Sequence, residues 1–126
     1  EDGDTDPYAW LTKDAAVRER YAQDPFCTFK FTVSAMDDLV TLTKLANRRA
    51  WFKSLRKDLP ILLVSGREDP VGDFGKGVKA VNDMLLKAGC QDVTLQLYPG
   101  ARHEMHNETN KEEVFALLLS WLESHL

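Results

Sequence analysis

The rhythm of apolar and polar positions changes near residue 58, and beyond it the pattern is regular. The run "LPILLVSG" is continuously apolar and closes on Gly66, as expected of a strand buried on both faces. In "FGKGVKAVNDMLLKAG", Phe74, Val78, Val81, Leu85 and Ala88 recur on one helical stripe, and Gly89 suits the position just past a helix end. A second strand is predicted over "DVTLQLYPG". The last segment, "NKEEVFALLLSWLESHL", predicts a helix with Asn110 as N-cap and Glu113 at its third position. Its stripe is Val114, Leu117, Leu118, Trp121 and Leu122. Strand, helix, strand, helix has one preferred geometry, two parallel strands joined by a right-handed crossover.

The first 58 residues read as short helices with little strand signal. "LTKDAAVRERYAQD" predicts a helix with Thr12 or Asp14 as N-cap and Ala15, Ala16 and Tyr21 among its apolar positions. In "DPFCTFKFTV", Phe29, Phe31 and Val33 alternate with Lys30 and Thr32. A period of two fits an edge strand, or equally an extended link laying aromatics on a neighbour. Ser34 and Asp37 then predict a capping-box-like start, after which Leu39, Leu42, Leu45 and Ala46 recur at helical spacing. A break near Asn47 divides this stretch into two helices.

The fold class is therefore α/β. A two-stranded parallel sheet is a poor independent fold, so the pattern implies further strands outside this sequence. Composition adds limits. At 126 residues the chain has the size of one domain, and its 44% apolar and 29% charged content is that of a globular protein. A net charge of −4 argues against nucleic acid as a partner. The basic run "NRRAWFKSLRK" reads better as a solvated amphipathic helix than as a phosphate site. Cys27 and Cys90 lack metal-ligand spacing and read as a reduced, cytoplasmic pair. No apolar run reaches the roughly 18 residues of a transmembrane helix. The acidic opening "EDGDTD" does not resemble a signal peptide, and the absence of an initial methionine suggests a processed chain or a piece of a longer one.

Ligands of an open parallel sheet bind outside the carboxyl ends of its strands. Two loops leave that edge, "SGREDPVGD" and "YPGARHEMHNE". If the strands are neighbours, Asp69 and His103 emerge side by side. A carboxylate accepting the imidazole Nδ1–H fixes the tautomer and leaves Nε2 as a general base. Asp69 before Pro70 is equally a turn start by local sequence. His103 and His106 with Glu104 or Glu108 could be metal ligands, but the zinc-protease motif needs its histidines four apart and "HEMH" sets them three apart. No metal or other cofactor is expected. His106 reads as a structural hydrogen bonder and His125 as a frayed surface residue. The serine elbow G-x-S-x-G is absent, and Ser65, in "LLVSGRE", reads as a loop hydrogen bonder rather than a nucleophile.

The segments "LPILLVSGREDPVG", "GKGV" and "LYPGARHEMHNETNKEEVFALLLSWL" resemble the carboxyl-terminal part of an α/β-hydrolase of the monoacylglycerol lipase and lysophospholipase-like group, the serine aminopeptidase domain family. Gly66, Asp69 and Val71 fill the family's acid turn, and Gly100, Ala101 and His103 its base turn. "WLTKDAAVRERYAQDPFCTFKFTV" resembles the helical cap. The resemblance implies a division into 1–58, a cap or lid, and 59–126, the carboxyl-terminal β-α-β-α part of the core. It implies catalytic roles for Asp69 and His103, and a cap in which Phe26, Phe29 and Phe31 contact substrate. In this family the triad runs Ser, Asp, His, so the nucleophile is expected before Glu1 and the chain alone is expected to be inactive. The implied parent is a serine hydrolase of lipid-like carboxylic esters. The alternatives are a non-catalytic, partner-binding module and an aminopeptidase. A fragment with an open strand edge is expected to self-associate or to pair with the amino-terminal half.

Overall fold

The computed structural model describes residues 5–126; the start of the acidic opening run, residues 1–4, lies outside them. The elements run α1 (Ala15–Gln23), α2 (Val33–Ala46), α3 (Arg49–Ser54), β1 (Ile61–Gly66), α4 (Lys76–Lys87), β2 (Val93–Tyr98), a 3-10 turn (Met105–Asn107) and α5 (Lys111–Glu123). β1 and β2 pair in parallel, in register from Ile61 opposite Val93 to Gly66 opposite Tyr98. That register answers the pattern of the second half, and it brings the loops after both strands to one edge.

Two apolar clusters show how the sheet is covered. Phe52 of α3, Leu85 of α4 and Cys90 are buried together, with Ile61, Leu63 and Val93 packed against them. Ala101, Met105 and Val114 form the second cluster, with Val64, Tyr98 and Leu118 around it. Strand residues of opposite parity point to opposite faces, so α3 and α4 cover one face and α5 the other. Burying one such aliphatic or aromatic side chain stabilises by about 1.5–3 kcal/mol. The cover is thin. Ile61 to Val64 are only half-buried, short of the two-faced burial that their apolar run predicts, because each strand has a single neighbour among the described residues.

The helix ends show where local chemistry overrules the apolar pattern. α1 starts as expected at Asp14, whose carboxylate accepts N–H bonds from Ala16 and Val17. Its buried residue is Val17, whereas Ala15 and Ala16 are exposed. α2 starts at Thr32, whose Oγ1 accepts the Ala35 N–H at 3.1 Å. Ser34, the expected cap, therefore lies inside the helix. The alternating aromatics before it form no strand; Phe29 and Phe31 pack edge-on at 5.2 Å in an extended link. The break at Asn47 is present, with Asn47 as the C-cap of α2.

α4 begins two residues later than its stripe predicts. Asp73, Phe74 and Gly75 all have positive φ, so Phe74 sits in a left-handed turn and is half-exposed. Gly75 takes the N-cap place at φ 81, where a side chain would be strained. At α5, Asn110 stands at the N-cap but no side-chain cap bond forms; its amide donates to Glu113 Oε2 at 3.3 Å. His125 is not frayed. Its Nδ1 lies 2.6 Å from the Trp121 carbonyl oxygen and its Nε2 3.0 Å from Asp92 Oδ2.

Candidate active site

The loop after β1 turns sharply because backbone amides find partners across the sheet edge. Arg67 N donates to Tyr98 O and Glu68 N to Ala101 O, each at 2.9 Å. Gly66 makes that approach possible, since a methyl there would overlap the Ala101 and Arg102 carbonyl oxygens. Three residues on, Asp69 is 5% exposed. Its Oδ1 accepts the Val71 N–H at 2.9 Å, the side-chain-to-backbone turn that an Asp-Pro start favours. Its Oδ2 is thereby left to face the second loop.

That loop carries His103. Its Nδ1 lies 3.1 Å from Asp69 Oδ2. A carboxylate only accepts, so in this pairing Nδ1 holds the hydrogen and Nε2 keeps a free lone pair. The His103 side chain is 38% exposed, so the basic nitrogen has a route to a reacting group. The Trp10 ring lies 5.3 Å from the imidazole, tilted by 47°. The peptide into His103 is fixed too, with its N–H directed to the Trp10 carbonyl at 3.4 Å and the Glu104 N–H to Leu11 O at 2.7 Å. A buried acid and an accessible imidazole, joined at Nδ1, are suited to proton abstraction by Nε2.

The other candidates lie apart from this couple. His106 is exposed and contacts Asn107 Nδ2 through Nε2 at 3.2 Å. The buried Ser65 hydroxyl donates to the Gly66 carbonyl at 3.3 Å. Phe26, Phe29 and Phe31 are exposed on the α1–α2 link. Phe31 opens a shallow apolar groove continued by Val33, Met36 and Val40 of α2. Among the described residues, no group of three or more His, Cys, Asp or Glu is arranged to hold a metal ion.

Sequence reasoning missed the strap of residues 10–13 and the role of Glu108. Thr12 and Glu108 are both buried. Glu108 accepts backbone N–H bonds from Arg102 at 2.7 Å, from Lys13 at 3.2 Å and from Thr109 at 3.3 Å. Thr12 Oγ1 donates to the Asn107 carbonyl at 2.9 Å. Nothing in the spacing of "HEMHNE" marks which of its carboxylates turns inward. The only available signal was the density of polar groups in so short a loop.

A family model described as serine aminopeptidase, S33, matches residues 4–110. The monoglyceride lipase of Saccharomyces cerevisiae is 30% identical over 123 residues, covering 91% of this chain and 38% of the yeast protein. Among solved structures, a thermostable carboxyl esterase from Bacillus coagulans, in complex with glycerol, superposes with a TM-score of 0.85 at 29% identity. That likeness covers 98% of this chain and 40% of the esterase. A lipase in its open form gives a TM-score of 0.82 at 33% identity, over 94% of this chain and 38% of the lipase. The chain thus spans about two fifths of the length of each of these proteins.

Proposed function

This chain belongs to the serine aminopeptidase family, its paired strands and helices are part of an α/β-hydrolase fold, and from that premise we propose that it supplies the acid and base of a serine ester hydrolase. One observation carries the reading: His103 Nδ1 stands 3.1 Å from the buried Asp69 Oδ2 at the carboxyl edge of two parallel strands.

In this reading the nucleophile is a serine that precedes Glu1 in the whole protein. The serine Oγ attacks the ester carbonyl while His103 Nε2 takes its proton. The imidazolium so formed is stabilised by Asp69 through Nδ1–H. The tetrahedral intermediate collapses as His103 returns that proton to the leaving alcohol oxygen. Water then adds to the acyl-serine with His103 again as base, releasing the carboxylic acid and regenerating the serine. No cofactor enters these steps.

The substrate proposed is a lipid-like ester, a monoacylglycerol or lysophospholipid, consistent with the lipase and esterase relatives. Residues 1–58 would form the cap, with Phe26, Phe29 and Phe31 offered to the acyl chain, although α3 is seated on the sheet through Phe52. A cytoplasmic setting belongs to the same reading, supported by the two free thiols.

The test is turnover of short- and long-acyl esters by the full-length protein, with a serine-directed organophosphate as control. His103→Ala is expected to reduce kcat by at least about a thousandfold, and His106→Ala to leave it within twofold. Equal losses in folded variants would overturn the assignment. Cleavage of aminoacyl amides without ester turnover would replace the esterase reading with a peptidase one.

A further inference from the structure

Glu108 is 1% exposed, yet it has no place in the proton transfers just described. A buried carboxylate costs several kcal/mol unless its lone pairs are satisfied, and here they are taken up by backbone amides. The donors come from three places. Arg102 N belongs to the residue immediately before His103, Lys13 N to the strap, and Thr109 N to the turn into α5. No neutral side chain of this size offers acceptors in both branches, because an amide replaces one oxygen with a donor.

The strap meets His103 directly. The Trp10 carbonyl accepts the His103 N–H and the Trp10 ring lies against the imidazole, while Asp69 holds Nδ1. Glu108 therefore grips both sides of the base, the chain leading into it and the segment packed on its ring. Thr12 reinforces the joint through its hydrogen bond to the Asn107 carbonyl.

We propose that Glu108 is a positioning residue, whose carboxylate fastens the strap and the Arg102 turn to one point and so fixes where the His103 imidazole stands. The inference rests on the proposed function, since it gives a role only if His103 is the base. Displacement of a reacting group by about 1 Å can cost a hundredfold in rate.

The experiment measures kcat and KM on a soluble short-chain ester for full-length Glu108→Gln, Glu108→Asp and His103→Ala, with circular dichroism confirming the fold of each. Glu108→Gln turns one accepting oxygen into a donor facing an amide. It is expected to lower kcat about 10- to 100-fold with KM within about threefold. Glu108→Asp keeps the charge on a shorter arm and is expected to fall between Gln and wild type. Folded Glu108→Gln with wild-type kcat, or with a loss carried by KM alone, overturns the role. Should Glu108→Gln fail to fold, Glu108→Asp decides: reduced kcat supports the role, and wild-type kcat leaves Glu108 a folding residue only. Turnover surviving His103→Ala sinks the proposed function itself. Turnover abolished there but intact in Glu108→Gln sinks the positioning role alone.

Discussion

The three histidines of this chain are distinguished by what faces their ring nitrogens. His103 offers Nδ1 to a carboxylate and keeps Nε2 open, whereas both nitrogens of His125 face acceptors, the Trp121 carbonyl and Asp92. Two acceptors require two N–H groups, which only the imidazolium has. The Trp121 ring, 4.2 Å away, adds a favourable surface for that cation. The His125 pKa is accordingly raised, first by the bond to Trp121 and then by Asp92, against an opposing effect of desolvation. A raised folded value means that the stabilisation is complete below the unfolded pKa of about 6.5 and disappears as pH rises through the folded value. His125→Ala should therefore lower the urea midpoint more at about pH 5.5 than at about pH 8.5. Equal shifts at both pH values would show that the imidazolium contributes nothing. Legibility at this scale followed from geometry. Asp69 and His103 could be paired from sequence because parallel neighbours send both loops to one edge. Glu108 and His125 could not, because Glu108 is held by backbone amides and His125 by a backbone carbonyl as well as Asp92, and every residue carries such backbone groups.

Among the elements, the apolar stripes were legible where they face the sheet, while the helix starts depended on local capping. Leu85 and Val114 are buried as the stripes of α4 and α5 predict, since a helix on a sheet must turn one apolar face inward. α2 has no buried residue, so its apolar spacing fixes no face, and its start is decided by which hydroxyl can reach an amide. Thr32 does so, and Ser34 lies two positions too late. Thr32→Ala is expected to destabilise by about 1 kcal/mol, read as a fall in helical signal and denaturation midpoint. Ser34→Ala is expected to stay within about 0.5 kcal/mol. The reverse ranking would return the cap to Ser34. The alternating "FKFTV" run left an edge strand and an extended link open, and the link is what forms. Period two describes a strand only when another strand stands beside it, and none among the described residues does.

At the scale of the molecule, the surface left open is the informative quantity. Val33 is 89% exposed and Val40 59%, Met36 is exposed beside them, and Phe31 and Phe29 continue the same apolar region. A contiguous patch of this kind marks an interaction surface or an aggregation hazard. Each strand also has one unpaired edge among the described residues, a template for further pairing. These features accompany a likeness that covers about 40% of the Bacillus coagulans esterase. Expressed by itself, the 14.3 kDa polypeptide is expected to run as dimers or larger species by light scattering. Two surfaces compete to cause this, and they respond to different changes. If the α2 face dominates, Val40→Glu combined with Met36→Lys removes two exposed apolar side chains from that face, and the mass should fall toward the monomer. If strand edges dominate, the same double variant should leave the mass unchanged, because edge pairing runs through the backbone groups of the strands. A wild-type chain that stays monomeric at high concentration would refute both, and would mean that so thin a cover already suffices for this sheet.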